Sequence, residues 1–585
     1  MTKKVILFII TILWFLPSFA QQTTVFDEVE RYYPQLPAGL LEAISFTNTH
    51  CHHLTDANYS NPADDSSVMP RAYGMMGLVK DGKGYFRENL KTIAELSELP
   101  VDSILNDPLT NVMAYARAAV KMAAKLGVSS KDASDYQPVI IALSELPVGD
   151  QRDEYPLNLM LSSVYDYLNL PSLPILPSSQ SNIIPSESPD NLSLQSPSQW
   201  PMVNGQWSKD NPDYPKALWN PAPDCNFGDR TEPVSGVVVH YTEGSYAGCI
   251  SWFQNCDAQV SAHYVIRSRD GQVTQMVREA DKAWHARSAN AYTIGIEHEA
   301  FGDIASYFTD AMYQSSADLV SNICSRYESI DGHRTFYRDT LDNGITLNQG
   351  LHDLGDASSC VKIRGHQHYP NQSHTDPGPF WDWNYYYKLI NEGTPVEWLG
   401  GPTVEEGTLN HENYGNDERK IWVIEGPDEA TISLEFNTFA LERDYDFLWI
   451  YDGDNVYAPK IGRWNMRNPG KVTSSGNTMC VEFRSDCATT SSGWKAKWTV
   501  NFPEPPEPEL PYGVFPNPAD NQITIHVADR GFYDAELYDV FGRCLKECRF
   551  REMTTMDLSD LAHGVYIIRY AKVGIELSAV KRIVH

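Results

Sequence analysis

GVVVHY, from Gly236 to Tyr241, is followed by AHYVIRS from Ala262 to Ser268, a turn at Asp270-Gly271, VTQMV from Val273 to Val277 and TIGIEHE from Thr293 to Glu299. Short runs rich in β-branched residues and bounded by glycine and polar turns read as strands. A longer stretch, DAMYQSSADLVSNICSRY from Asp310 to Tyr327, carries its apolar residues at helical spacing. Strands interleaved with helices define an α/β domain with a mixed central sheet flanked by helices, ending near Asn391.

Outward from this domain the pattern changes on both sides. Two stretches rich in proline with serine or glutamate read as linkers: Leu170 to Pro201, and FPEPPEPELP from Phe502 to Pro511. Before the first, GLLEAISF, NLKTIAEL and NVMAYARAAVKMAAKLGV have helical spacing and, in the last, frequent alanine, so this block is mainly α-helical. After Thr403 come short alternating strands such as TISLEF, FLWIYD, CVEF and WKAKWTV, the pattern of a β-sandwich. The last block repeats it with QITIHV, AELYDV and VYIIRY. A chain of 585 residues with 42% apolar content exceeds what one core can organise, which agrees with a multidomain reading.

The first residues run Lys3-Lys4, an apolar stretch from Val5 to Leu16, then Pro17-Ser18-Phe19-Ala20 before Gln21-Gln22. Basic start, short apolar core and small residue before a polar start is the order of a cleaved secretory signal. The stretch is shorter than the ~20 residues that span a bilayer, so no membrane span is expected. A formal net charge of −30 makes nucleic acid and anionic membrane poor partners, because like charges repel. Ten cysteines leave room for local staples, with Cys249 and Cys256, Cys480 and Cys487, and Cys544 and Cys548 as the pairs close in sequence. The last two could also share a strand face without bonding.

A hydrolytic zinc site needs three protein donors and an open position. His240 ends a strand of valines, and His366 and Asp376 lie in the loop GHQHYPNQSHTDPGPFWDW; two histidines and a carboxylate suit zinc. Chemistry alone does not select them from sixteen histidines, since His368, His374, His263, His285 and His298 are equally available.

The pieces VVVHYTEG, VSAHYVIRSRDGQVTQMV, AWHA, TIGIEHE and GH with the aspartate of TDPGPFWDW stand in the order of the type 2 N-acetylmuramoyl-L-alanine amidase family, which also holds the peptidoglycan recognition proteins. The resemblance implies zinc held by His240, His366 and Asp376, and Glu297 as the general base that takes a proton from the attacking water. At the position two residues before Asp376, where bacterial members often carry lysine, this chain has His374. It implies the same oxyanion-stabilising role, with activity falling as pH rises above ~7 because only imidazolium supplies a charge. His285 in AWHA is expected at the substrate groove, with a packing histidine as the alternative. Members that only bind peptidoglycan lose the metal donors; all three are present here, which favours catalysis over a non-catalytic recognition protein. A zinc peptidase of other specificity is a third reading.

GLLEAISFTNTH, YGMMGLV and NDPLTNVMAYARAAVKMAAKLGV resemble the goose-type lysozyme and lytic transglycosylase fold. Where that family needs a glutamic acid stand Thr47-Asn48-Thr49, with Glu42 too early, so the block is expected to be catalytically inactive. FALERDYDFLWIYDGDN and CVEFRSDCATTSSGWKAKW resemble a CUB domain, which implies calcium at Glu442, Asp446 and Asp486, although the segment between the first two is short and lacks its cysteine. GVFPNPADNQITI, LYDVFGR, LAHGVYIIRY and KRIVH resemble the C-terminal sorting domain of the type IX secretion system of Bacteroidetes. The expected divisions are a signal peptide at 1–20, a helical lysozyme-like domain at 21–169, a linker at 170–225, a zinc amidase at 226–398, a CUB-like β-sandwich at 403–502, a linker at 503–511 and a β-sandwich sorting domain at 512–585. The expected partners are bacterial peptidoglycan and the type IX secretion machinery, and the expected place is outside a Gram-negative cell or on its surface.

Overall fold

The computed structural model describes residues 24–59, 69–80, 86–149, 154–169, 212–302, 304–333, 361–369, 374–443, 445–502, 513–574 and 578–585. The signal peptide at 1–20, the linker from 170 to 211 and the linker at 503–511 lie outside the described residues.

The N-terminal block is helical, as its apolar spacing predicts. It contains α1 (Val25–Tyr32), α2 (Leu40–Thr49), a hairpin of β1 (Ala72–Tyr73) and β2 (Leu78–Val79), α3 (Asn89–Ser97), α4 (Val101–Asn106), α5 (Pro108–Leu126), α6 (Gln137–Ser144) and α7 (Glu154–Asn169). α5 shows how the sequence sets an element. Asp107 caps it by accepting a hydrogen bond from the Thr110 amide, Pro108 takes the first turn, and Gly127 ends it at φ +74°.

The α/β domain runs β3 (Leu218–Trp219), β4 (Phe227–Asp229), β5 (Gly236–Tyr241), α8 (Tyr246–Gln254), β6 (Tyr264–Ile266), β7 (Val273–Gln275), β8 (Asp281–Ala283), β9 (Thr293–His298), α9 (Asp310–Arg326), β10 (Ile363–Gly365) and α10 (Trp383–Ile390). The main sheet has the order β10-β5-β9-β6-β7-β3, with only the β6/β7 pair antiparallel, so it is mixed as expected. β3 lies within the stretch 170–225 expected as linker. Its pairing of Leu218 and Trp219 with Thr274 and Gln275 corrects that boundary, because a two-residue edge strand carries too little periodicity to be seen in sequence.

Side-chain alternation divides the sheet's two faces. Val237, Val239, Ile294 and Ile296 pack with Met312, Leu319 and Val320 of α9 and with Trp383 and Tyr386 of α10. His240, Gly295 and Glu297 therefore fall on the opposite face. On that side of the domain α8 joins its Tyr246, Ile250, Trp252 and Phe253 to Leu41, Ile44, Leu159 and Val164 of the helical block in one apolar cluster.

The next domain is a two-sheet sandwich of β11 (Val396–Gly400), β12 (Glu406–Glu412), β13 (Arg419–Glu425), β14 (Thr431–Ala440), β15 (Phe447–Tyr451), β16 (Lys460–Trp464), β17 (Lys471–Thr473), β18 (Thr478–Arg484) and β19 (Gly493–Asn501). Its sheets have the orders β11-β13-β18-β15-β16 and β12-β19-β14-β17. The final unit, taken by itself, packs β20 (Gly513–Phe515), β21 (Gln522–His526) and β24 (Met553–Asp557) against β22 (Phe532–Tyr538), β23 (Cys544–Arg551), β25 (Val565–Lys572) and β26 (Ser578–Val584) around Ile523, Ile525, Leu537 and Ile568.

The disulfide expectation is corrected. Cys256 bonds to Cys225, 31 positions away, leaving Cys249 free and buried in α8. Cys487 is disulfide-bonded while Cys480 is free, and Cys544 and Cys548 are both free. Nearness in sequence is a poor guide here because Cys249 is buried within α8 while Cys256 lies beyond its end.

The sandwich joins the α/β domain through buried charge. Glu482 receives Arg419 Nε at 2.8 Å and Arg484 Nε at 2.9 Å, and Arg484 lies over the Tyr387 ring of α10 at 4.2 Å. Lys388 of α10 donates to the Val456 carbonyl at 2.6 Å and sits 4.6 Å from the Tyr451 ring centre. Burial pushes its ammonium down to about 8 from an unfolded value of 10.5. A base with a depressed folded pKa contributes stability that is complete above the unfolded value and is lost as pH falls through the folded one. In denaturant unfolding, Lys388→Met should therefore abolish part of the gain in stability that the parent shows from pH 8 to 10.5; equal pH dependence in both proteins would contradict this placement.

Candidate active site

The parallel register of β5 and β9 places His240 directly beside Glu297 on one face of the sheet. β10 pairs with β5 on its other side and delivers His366 immediately after its last residue, Gly365. The loop that follows brings Asp376 back: the Gln367 amide donates to the Asp376 carbonyl at 3.0 Å. His240, His366 and Asp376 are all buried, and one donor atom from each lies within 4.8 Å of the others.

His240 Nδ1 lies 2.7 Å from Asp376 Oδ2, and its Nε2 lies 2.9 Å from His285 Nδ1. His366 Nδ1 is 3.2 Å from Asp376 Oδ1, which has no hydrogen-bond partner. Burial would raise the Asp376 carboxyl, yet His366 and His240 beside it hold it well below the usual carboxylate range. Burial pushes the His240 imidazole down to about 4 and His285 well below its ordinary value, so both rings are neutral near pH 7.

Ring tautomers can be followed from there. Thr293 Oγ1 donates to the Ala289 carbonyl at 2.7 Å, so toward His285 Nε2, 3.4 Å away, it acts as acceptor. His285 then carries its proton on Nε2 and accepts at Nδ1 from His240 Nε2. His240 Nδ1 either donates its proton to Asp376 or, with the proton on Nε2 as this chain of contacts sets it, offers its lone pair to a cation shared with the carboxylate. Two imidazoles and one carboxylate fit zinc.

The remaining sequence candidates separate by their bonds. His374 stacks on His366 at 4.6 Å between ring centres, with Nδ1 3.9 Å from Asp376 Oδ1 and 17% of its side chain exposed, so it stands at the open edge of the triad. His285, expected at the substrate groove, is bonded to His240 and packs against Gly295, where an added Cβ would fall 2.5 Å from its ring. His298 donates from Nδ1 to the His240 carbonyl and faces Ser316 with Nε2; His263 accepts from the Gly295 amide; His368 accepts from the Gly365 amide. These three are held by backbone and helix and do not point into the triad. Glu297 is partly buried, and its Oε2 has no hydrogen-bond partner. Burial, with the charges of Asp376 and Glu243 nearby, pushes its carboxyl well above the usual value. Thr293 and Gly295 are not marked by the sequence although both lie in TIGIEHE, because their parts depend on the adjacent AWHA segment.

Residues 230–379 match the family described as N-acetylmuramoyl-L-alanine amidase, residues 403–498 the CUB domain and residues 513–585 the secretion system C-terminal sorting domain. N-acetylmuramoyl-L-alanine amidase A of Achromobacter lyticus is 43% identical over 182 residues, 31% of this chain and 97% of that protein. Human cubilin is 27% identical over 175 residues, 29% of this chain but 5% of cubilin. The solved N-acetylmuramoyl-L-alanine amidase LysC from Clostridium intestinale shares 15% identity over 30% of this chain and 99% of its own, with a TM-score of 0.20. The chain belongs to the N-acetylmuramoyl-L-alanine amidase family.

Thr293→Val, which removes the acceptor that sets the His285 tautomer, should weaken zinc binding about 10- to 100-fold in competition with a chelating dye, whereas Thr293→Ser should keep it. Unchanged affinity in the valine protein would break the chain from Thr293 to His240.

Proposed function

We propose that this protein is an exported, zinc-dependent hydrolase that cuts the amide between N-acetylmuramic acid and L-alanine in peptidoglycan. The observation that carries the reading is the lateral pairing of His240 with Glu297, which sets a carboxylate with a partnerless buried oxygen beside a triad fit for a cation. Zinc, when bound by His240, His366 and Asp376, supplies Lewis-acid activation of water and of the scissile carbonyl. Glu297 takes the proton from the attacking water and passes it to the departing amine of L-alanine. His374, at the open edge, donates a hydrogen bond to the oxygen that gains charge at the tetrahedral carbon. His285 fixes the orientation of His240. The recognition-only alternative would leave these buried polar groups without a purpose.

The sorting domain matched at 513–585, together with the leader read at 1–20, supports passage across the outer membrane by type IX secretion and release or retention at the cell surface. Among the described residues no helix is long and apolar enough to cross a membrane. We assign no glycan cleavage to the helical block, because Thr47-Asn48-Thr49 offers no acid.

The CUB-like sandwich holds a second cation in this reading. Oxygens of Glu442, Asp446 and Asp486 lie within 4.8 Å of one another. Burial, then repulsion within the group, pushes Glu442 up to about 7; for Asp446, burial is the main cause of a rise to about 6. A calcium ion relieves both effects.

Glu297→Gln should lower kcat for release of N-terminal L-alanine from purified peptidoglycan about 100- to 10,000-fold while the protein still binds zinc. New reducing ends in place of L-alanine, or a glutamine variant as fast as the parent, would sink the assignment. Calcium should raise the melting temperature with Kd on the order of 10⁻⁴ M, and Asp446→Asn should abolish that rise; a calcium response that survives the substitution rules the trio out.

A further inference from the structure

The contact between the helical block and the α/β domain is continuous core. Leu41, Ile44, Leu159, Met160 and Val164 share one buried cluster with Tyr246, Ile250, Trp252 and Val265. Polar bonds cross the same boundary: Tyr155 to Thr274 at 3.0 Å, Arg269 to Asp166 at 3.1 Å, and His52 to Ser306 at 3.0 Å. An assembly of this kind loses buried apolar surface on both sides if the halves part.

A second cluster lies nearer the triad. Leu54, Tyr59, Ala72 and Val79 of the block pack with Tyr241, Ala300 and Phe301. Tyr59 meets Phe301 edge-on at 5.7 Å and is itself pinned to the backbone of Ala72, donating to its carbonyl and accepting from its amide. Tyr241 follows His240 in β5, and its ring fills the space over Gly302 and Gly378, where an added Cβ would fall 2.8 Å and 3.2 Å from it. Gly378 is two residues past Asp376. On the other side Met69 presses on the turn after β5: a Cβ at Gly244 would fall 1.8 Å from its terminal methyl. That turn contains Glu243, a buried residue at φ +48°, a conformation that needs support from its surroundings.

We propose that the helical block is a structural wall of the amidase site, whose Met69 and Tyr59 act as positioning residues for the segments that carry His240 and Asp376. The docking itself is independent of the metal; the effect on the site rests on the zinc reading above. The block serves the hydrolase by holding two segments, one from β5 and one from the Asp376 loop, at a fixed separation. The amidase is then one body from residue 24 to the end of α10, although a long proline-rich stretch interrupts its sequence.

The test begins with the full chain, in which a specific protease site placed between residues 170 and 211 is cut. The two parts should co-elute at micromolar concentration. Separation in native buffer overturns the proposal, whatever the released amidase part does alone. In the uncut protein, Met69→Ala should weaken zinc binding about tenfold by chelator competition, the lower end of what loss of support for metal ligands costs, and Met69→Leu, which refills the space, should restore it. An alanine variant with parental zinc affinity overturns the positioning role. A parent that binds no zinc at all refutes the metal reading instead, and co-elution then decides the docking.

Discussion

Two imidazoles and one carboxylate, buried together at the ends of neighbouring strands, are the constraint to which the rest of the structure answers. Removing a carboxylate from water costs several kcal/mol unless charge or hydrogen bonds replace the lost hydration. Here the replacement is incomplete: Asp376 Oδ1 lacks a hydrogen-bond partner. A divalent cation would supply the missing partner. The parallel register that pairs His240 with Glu297 places a second carboxylate beside this group.

Rigidity around the triad comes from three directions. The sheet fixes His240 and Glu297 through main-chain pairing with β10 and β6 on either side. His298, which reaches from the His240 carbonyl to Ser316 of α9, ties the strand end to a helix. The far side of the domain is joined to the sandwich by a buried carboxylate shared between Arg419 and Arg484, a contact with high cost if one partner is removed. The sandwich is thereby anchored to α10.

Much of this is legible in the sequence, for a definable reason. Strands with alternating or continuous β-branched residues and long alanine-rich helices announce themselves by period, so GVVVHY, TIGIEHE and the α5 segment are readable directly. The triad is legible only through the order of whole motifs. Sixteen histidines are chemically alike in sequence, and the distinction between His240 and His298, or His366 and His368, depends on strand face and on which backbone group lies near. Features made by tertiary contact are not legible. Cys225 and Cys256 are 31 residues apart, Leu218–Trp219 is too short to show a period, and the docking of the helical block involves surfaces that no local pattern marks as complementary. The AWHA motif points to a groove residue at His285, whereas its bond to His240 is visible only in three dimensions.

The most direct test of the central claim is anomalous scattering at the zinc edge from crystals of the zinc-loaded protein. One strong peak is expected in contact with Nδ1 of His240, Nδ1 of His366 and an Asp376 carboxylate oxygen, with His285 still bonded to His240 Nε2. A triad that keeps its direct histidine-to-carboxylate contacts while zinc lies elsewhere, or binds nowhere, would contradict it.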